Sequence, residues 1–121
     1  MTKEQALHRF WSEFGVTAYD ENTVPDDAQL PYITYEVATD SIGNDVSASV
    51  SIWDRGTSWT TVTNILDDIA STIGRGGTTR RYDNGLLWVK KGTPFARRVA
   101  DENDSIRHIS INIEYEYISE V

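Results

Sequence analysis

The chain has 121 residues and a mass of 13.7 kDa, the size of one domain, whose folded surface should come to about 6,600 Å². It has no cysteine and two histidines, which excludes disulfides, thiolate metal sites and cysteine nucleophiles. No apolar run approaches a membrane span and MTKEQALHRFW lacks a signal-peptide core, so a cytoplasmic protein is expected.

Residues 2–14 read as an amphipathic helix. Thr2 and Gln5 form a capping box, Leu7, Phe10, Trp11 and Phe14 make the apolar stripe, and Gly15 stops it. Residues 16–31 read as an acidic surface loop (Asp20, Glu21, Asp26, Asp27) with a short strand near Val16–Tyr19. YITYEVA (32–38) and DVSASVSIW (45–53) alternate at period two. Ile33, Tyr35 and Val37 share one face of the first; Val46, Ala48, Val50 and Ile52 share one face of the second. The turn Asp40–Asn44, with Gly43, predicts that they pair as an antiparallel hairpin.

Thr57 or Ser58 caps a second helix that reaches Ile73. Its stripe is Trp59, Val62, Leu66, Ile69 and Ile73, flanked by Ile65 and Ala70. A second hairpin follows, TTRRY (78–82) and LLWVKK (86–91) around Asp83-Asn84-Gly85. Residues 92–104 read as a connection with Pro94 and one helical turn. The last strand, 105–119, carries Ile109, Ile111, Ile113, Tyr115 and Tyr117 on one face. This order predicts an α+β fold: an antiparallel sheet of about five strands with two helices packed on one face, residues 1–121 forming a single domain.

Catalytic signals are absent. In IGRGGTTRRYDNG (73–85) the glycines Gly74, Gly76 and Gly77 follow a helix and open a strand, the reverse of a phosphate loop, and the lysine such a loop needs is missing. A helix C-terminus also presents carbonyls, which repel phosphate. His8 and His108 have no carboxylate or serine nearby in sequence. Asp101, Glu102 and Asp104 lack the spacing and glycine of a calcium loop. No enzyme, cofactor or metal is expected.

Charge is the stronger signal. The net charge of −8 opposes general affinity for nucleic acid. Yet residues 75–98 hold seven of the eleven Lys/Arg against one acid, Asp83, which makes that window +6 and the remainder −14. Two readings compete for Arg75, Arg80, Arg81, Lys90, Lys91, Arg97 and Arg98. One is a solvated sheet edge in which cations discourage edge pairing. The other is half of a charge-complementary contact with the acidic surface of a neighbouring copy. In the hairpin, Arg80 is expected near Lys90, and Arg81 and Lys91 at one end of the sheet.

Leu30-Pro31-Tyr32 entering a strand, the strand-to-helix passage from Trp53 to Trp59, Gly92-Thr93-Pro94-Phe95, and a final Ile/Tyr strand after an acidic loop carry a resemblance. Over residues 1–119 the chain resembles the tail terminator (tail completion) proteins of long-tailed, siphovirus-type bacteriophages, above all those of Gram-positive hosts. The resemblance implies a structural virion protein: a homo-oligomeric ring, typically a hexamer, that caps the tail tube, stops its growth and forms the head–tail joining surface. Implied partners are further copies of itself, the tail tube protein and a head completion or connector protein, with DNA only passing through the channel and no membrane. The implied location is the virion tail and neck, after assembly in the host cytoplasm. With the basic window used between subunits, acids of the 16–31 loop, or Asp101, Glu102 and Asp104, are expected to line the channel. Two alternatives stand beside this. One is another head–tail connector, a head-completion or stopper protein. The other is a small nucleic-acid-binding module that grips with the 75–98 segment and stacks bases on Tyr82 and Trp88.

Overall fold

The computed structural model describes residues 1–38 and 45–119. In chain order it has α1 (Lys3–Trp11), a single 3₁₀ turn (Ser12–Phe14), β1 (Thr17–Asp20), β2 (Tyr32–Tyr35) and β3 (Asp45–Arg55). Then come α2 (Thr60–Ile73), β4 (Thr78–Tyr82), β5 (Gly85–Val99) and β6 (Ile106–Ser119). The strands form one curled sheet in the order β1-β2-β3-β6-β5-β4.

The sheet departs from expectation in two ways. It has six strands rather than five, and it is mixed: β1 runs parallel to β2 while every other pair is antiparallel. A parallel pair needs a return connection of about a dozen residues. The acidic 21–31 segment supplies one, so its length serves the topology. β2 and β3 do pair antiparallel, Ile33 opposite Ile52; the expected turn between them, Asp40–Asn44, lies outside the described residues.

The second departure is β5. Residues 92–99 continue the strand instead of forming a connection with a helical turn. Between the pairs Lys91–Ile113 and Ala96–Ile111, residues 92–95 stand opposite Asn112 alone, an enlarged β-bulge. The Asn112 side-chain amide donates to the Pro94 carbonyl at 2.7 Å and holds the bulge down. A strand can thus absorb Pro94, because the bulge lies on a stretch that β4 does not cover.

Both helices cover one face. The capping box at Thr2 is formed in both directions, Gln5 N–H to Thr2 Oγ1 at 3.1 Å and Thr2 N–H to Gln5 Oε1 at 2.8 Å. α2 starts at Thr60, whose N–H donates to Ser58 Oγ. The core joins Leu7, Phe10, Trp11 and Phe14 to Val62, Ile65, Ile69 and Ile73, and to the inward residues of the strands, Ile109 through Tyr117 included. Leu66, expected in the core, is only partly buried, and Ile65 takes the inner position. The accessible surface, 6843 Å², is close to that of a compact chain of this mass.

Candidate functional site

Strand parity decides where the basic residues go. Directly opposed residues of an antiparallel pair share a face. Arg80 opposes Leu87, Lys91 opposes Ile113 and Arg98 opposes Ile109, all core-facing residues, so these three cations project on the helix side. Arg81 opposes Leu86, Lys90 opposes Glu114 and Arg97 opposes Ser110, so these three project on the open side. Arg75 is exposed in the α2–β4 connection. The basic window is therefore split across two faces and does not form one patch. Arg80 and Lys90 lie on opposite sides of the sheet. Arg81 and Lys91 are separated the same way, and along β5 by the distance from Leu86 to Lys91, about 16 Å.

Several of these charges are already used within the chain. Arg80 holds Glu13 through two parallel bonds of 2.8 Å, Nε to Oε2 and Nη2 to Oε1, and its guanidinium lies over the Phe10 ring. That hydrogen-bonded carboxylate raises the Arg80 pKa further. Lys90 Nζ donates to Asp45 at 2.6 Å, lies 3.6 Å from Glu116 and sits over the Trp88 ring. Burial alone would lower its pKa; the bond to Asp45 and the charges of Asp45 and Glu116 outweigh it and hold the pKa above the ordinary value. In turn the Lys90 bond lowers the Asp45 carboxyl. Lys91 lies over Phe95, while Arg98 and Arg107 both lie over Trp59.

The glycine-rich stretch is structural. Gly74 ends α2, its N–H donating to the Ala70 carbonyl. The indole N–H of Trp88 donates to the Gly76 carbonyl at 2.9 Å. At Gly77 φ is +84°, and a Cβ would stand 2.5 Å from the Trp88 nitrogen, so only glycine fits. Tyr82 shares the core-facing side with Gly85 and meets Tyr117 edge-on, whereas Trp88 faces the open side. The two rings do not form one stacking platform.

Neither histidine is isolated. His8 Nδ1 shares a hydrogen bond with the Tyr35 hydroxyl at 2.9 Å. On the open face His108 stacks on Trp53, centroids 3.7 Å apart, and its Nε2 lies 2.9 Å from Ser51 Oγ. Burial lowers the His108 pKa, Asp101 opposes this and Arg97 reinforces it. Ser51 was not a sequence candidate. Only the β3–β6 register, Trp53 opposite His108, brings it within reach. Ser51 and His108 sit on the ladder of the sheet with no carboxylate bonded to the ring among the described residues. Nor does any group of three His, Asp or Glu among them suit a metal ion.

Three concavities stand out among the described residues. A polar one of about 350 Å³ lies on the open face between Glu36, Ser47, Ser49, Asn112 and Glu114. A small one of about 210 Å³ lies between Leu66 of α2 and Arg97–Arg98 of β5. The third, about 430 Å³, is a groove between α1 and β4 with Met1, Ala6 and Phe10 below and Arg9, Glu13, Arg80 and Arg81 around it. Arg9, absent from the sequence candidates, is exposed, and its guanidinium makes no hydrogen bond or ion pair among the described residues. At the opposite margin of the sheet, Asp20 ends β1 and the β1–β2 loop carries Glu21, Asp26 and Asp27, with no Lys or Arg from 17 to 35. One margin thus gathers Arg9, Arg80 and Arg81 beside the paired acids Glu13 and Asp83, and the other carries acids without Lys or Arg. Compared with protein-family models, curated proteins and solved structures, the chain matches none.

Proposed function

We propose that the chain is a structural virion protein that closes a ring on the end of a phage tail tube, stops tube growth and offers the joining surface to the head. One observation carries the ring: unlike charge at opposite margins of the sheet, a cation-rimmed groove beside β4 and a cation-free acidic loop beyond β1. Unlike patches at opposite ends favour head-to-tail contacts, which close into rings when the rotation permits. The tail-capping role comes from the resemblance over residues 1–119. Its motifs fall at junctions that shape the sheet: Leu30-Pro31-Tyr32 leads into β2, and Gly92–Phe95 forms the β5 bulge.

The test is negative-stain microscopy of the protein mixed with its cognate tail tube protein. Tubes capped at uniform length are expected. Tubes of unregulated length, with rings bound to the head connector instead, would favour the head-completion alternative.

A further inference from the structure

We infer that the groove between α1 and β4 receives the β1–β2 loop, residues 20–27, of a second copy of this chain. The inference deepens the ring reading by naming its contact, and it rests on self-assembly alone, whatever the ring then caps.

Groove and loop match in pattern as well as in sign. The groove has an apolar floor, where Met1 is the exposed large hydrophobic of the described residues at 40%, beside the rim cation Arg9. Arg80, bound to Glu13, contributes a nearly neutral pair. Arg9 is the rim charge without an ion pair in its own chain among the described residues. The loop reads acid, apolar, acid: Glu21, then Val24 and Pro25, then Asp26 and Asp27. Its shape is held from within. Thr23 N–H donates to the Asp20 carbonyl, Asn22 N–H to the Asp20 carboxylate and Ala28 N–H to the Pro25 carbonyl. A loop already shaped loses less entropy on docking. Glu21, Asp26 and Asp27 are exposed, and no ion pair engages them among the described residues.

The other acidic loop is a poorer occupant. It lies near the cation-bearing end of β6: Arg107 donates to the Asp104 backbone carbonyl at 2.8 Å. Among the described residues no side chain of a Lys or Arg donates to the 20–27 loop. Within its own molecule the loop does not enter the groove, since none of residues 20–27 lines it. Loop into groove is therefore an intermolecular, heterologous contact.

The experiment is sedimentation velocity across a concentration series at low and high salt, on wild type, Arg9→Glu, the pair Asp26→Lys with Asp27→Lys, and an equimolar mixture of the two variants. Thermal melts of each variant establish that the fold is kept; Arg9, Asp26 and Asp27 are exposed, so wild-type melts are expected. The wild type should assemble at low salt and weaken at high salt. Each variant alone should need at least about tenfold more protein to assemble, and the mixture should recover, since each variant then offers the surface its partner lacks. A monomeric wild type at every concentration, or variants that assemble like wild type, would overturn the contact. Assembly of the expected pattern by a protein that leaves tail tubes uncapped would remove the tail-capping reading and leave this contact standing.

Discussion

Trp11 and Tyr115 form a polar pair inside an apolar core. The indole N–H donates to the Tyr115 hydroxyl at 2.8 Å, and both side chains are fully buried. Burial also pushes the Tyr115 phenol well above its ordinary pKa, so it stays neutral. Tyr115→Phe should leave the Trp11 donor unpaired and cost about 1–3 kcal/mol; Trp11→Ala should cost about 3–5 kcal/mol. Urea titration of both checks the pair. The same experiment ranks the α2 stripe: Ile69→Ala should cost about 2–5 kcal/mol and Leu66→Ala clearly less, because Leu66 is partly exposed. His108 supplies a pH dependence. Its folded pKa is lowered by burial, so below the ordinary value of about 6.5 the unfolded chain binds the proton first. Stability contributed by neutral His108 should fall as pH drops from about 6.5 towards the lowered value, then level off. A urea midpoint that follows this course in wild type and falls less across the same window in His108→Asn would bear out the assignment; identical profiles would refute it.

At the scale of elements, the β4–β5 hairpin depends on close backbone approach. A Cβ at Gly85 would stand 2.5 Å from the Ile118 carbonyl oxygen and 2.6 Å from the Tyr82 ring, with backbone on one side that cannot yield. Gly85→Ala should therefore destabilise by about 1–3 kcal/mol, and amide exchange should show the loss concentrated in β4. β4 covers only Gly85–Val89 of β5, which leaves 90–99 as an open edge. Lys90, Lys91, Arg97 and Arg98, the bulge and Pro94 all lie on that edge, and each discourages pairing with another chain. This part of the basic window fits the protective reading, and removing Lys91 and Arg97 together should raise aggregation at high concentration, measured by light scattering.

For the whole molecule, the division of charge over two faces changes what a charge reversal would do. Arg80→Glu would set a second carboxylate against Glu13 and disturb the α1–β4 packing, so lost assembly in that variant would confound folding with contact. Arg9 is the cleaner probe. If the 20–27 loop is taken up between subunits, Asp101, Glu102 and Asp104 remain of the acids expected to line a channel of the proposed ring. Such a channel should let DNA slide without gripping it, since every phosphate-neutralising cation is multiplied by the copy number. Assembled wild-type rings should thus bind duplex DNA weakly. Replacing Asp101, Glu102 and Asp104 by lysine should confer tight, strongly salt-dependent binding, which a fluorescence anisotropy titration would read; unchanged affinity would place the channel elsewhere.

Local chemistry made much of this fold legible. The capping box at Thr2, the stripe from Leu7 to Phe14 and the alternation along β2, β3 and β6 each act within a few residues, where period and propensity decide the outcome. The Thr2–Gln5 cap and the inward isoleucines and tyrosines of β6 followed from sequence alone. What sequence left open is set by contacts distant along the chain. Whether β1 joins the sheet, and in which direction, depends on its packing against β2 across the acidic loop. A bulge lets β5 continue through Pro94 only because Asn112 of another strand receives it. The candidate site was less legible for the same reason. A run of cations close in sequence alternates between two faces once register is fixed. Arg9 gains its place beside Arg80 and Arg81 because α1 packs on β4, some seventy residues away.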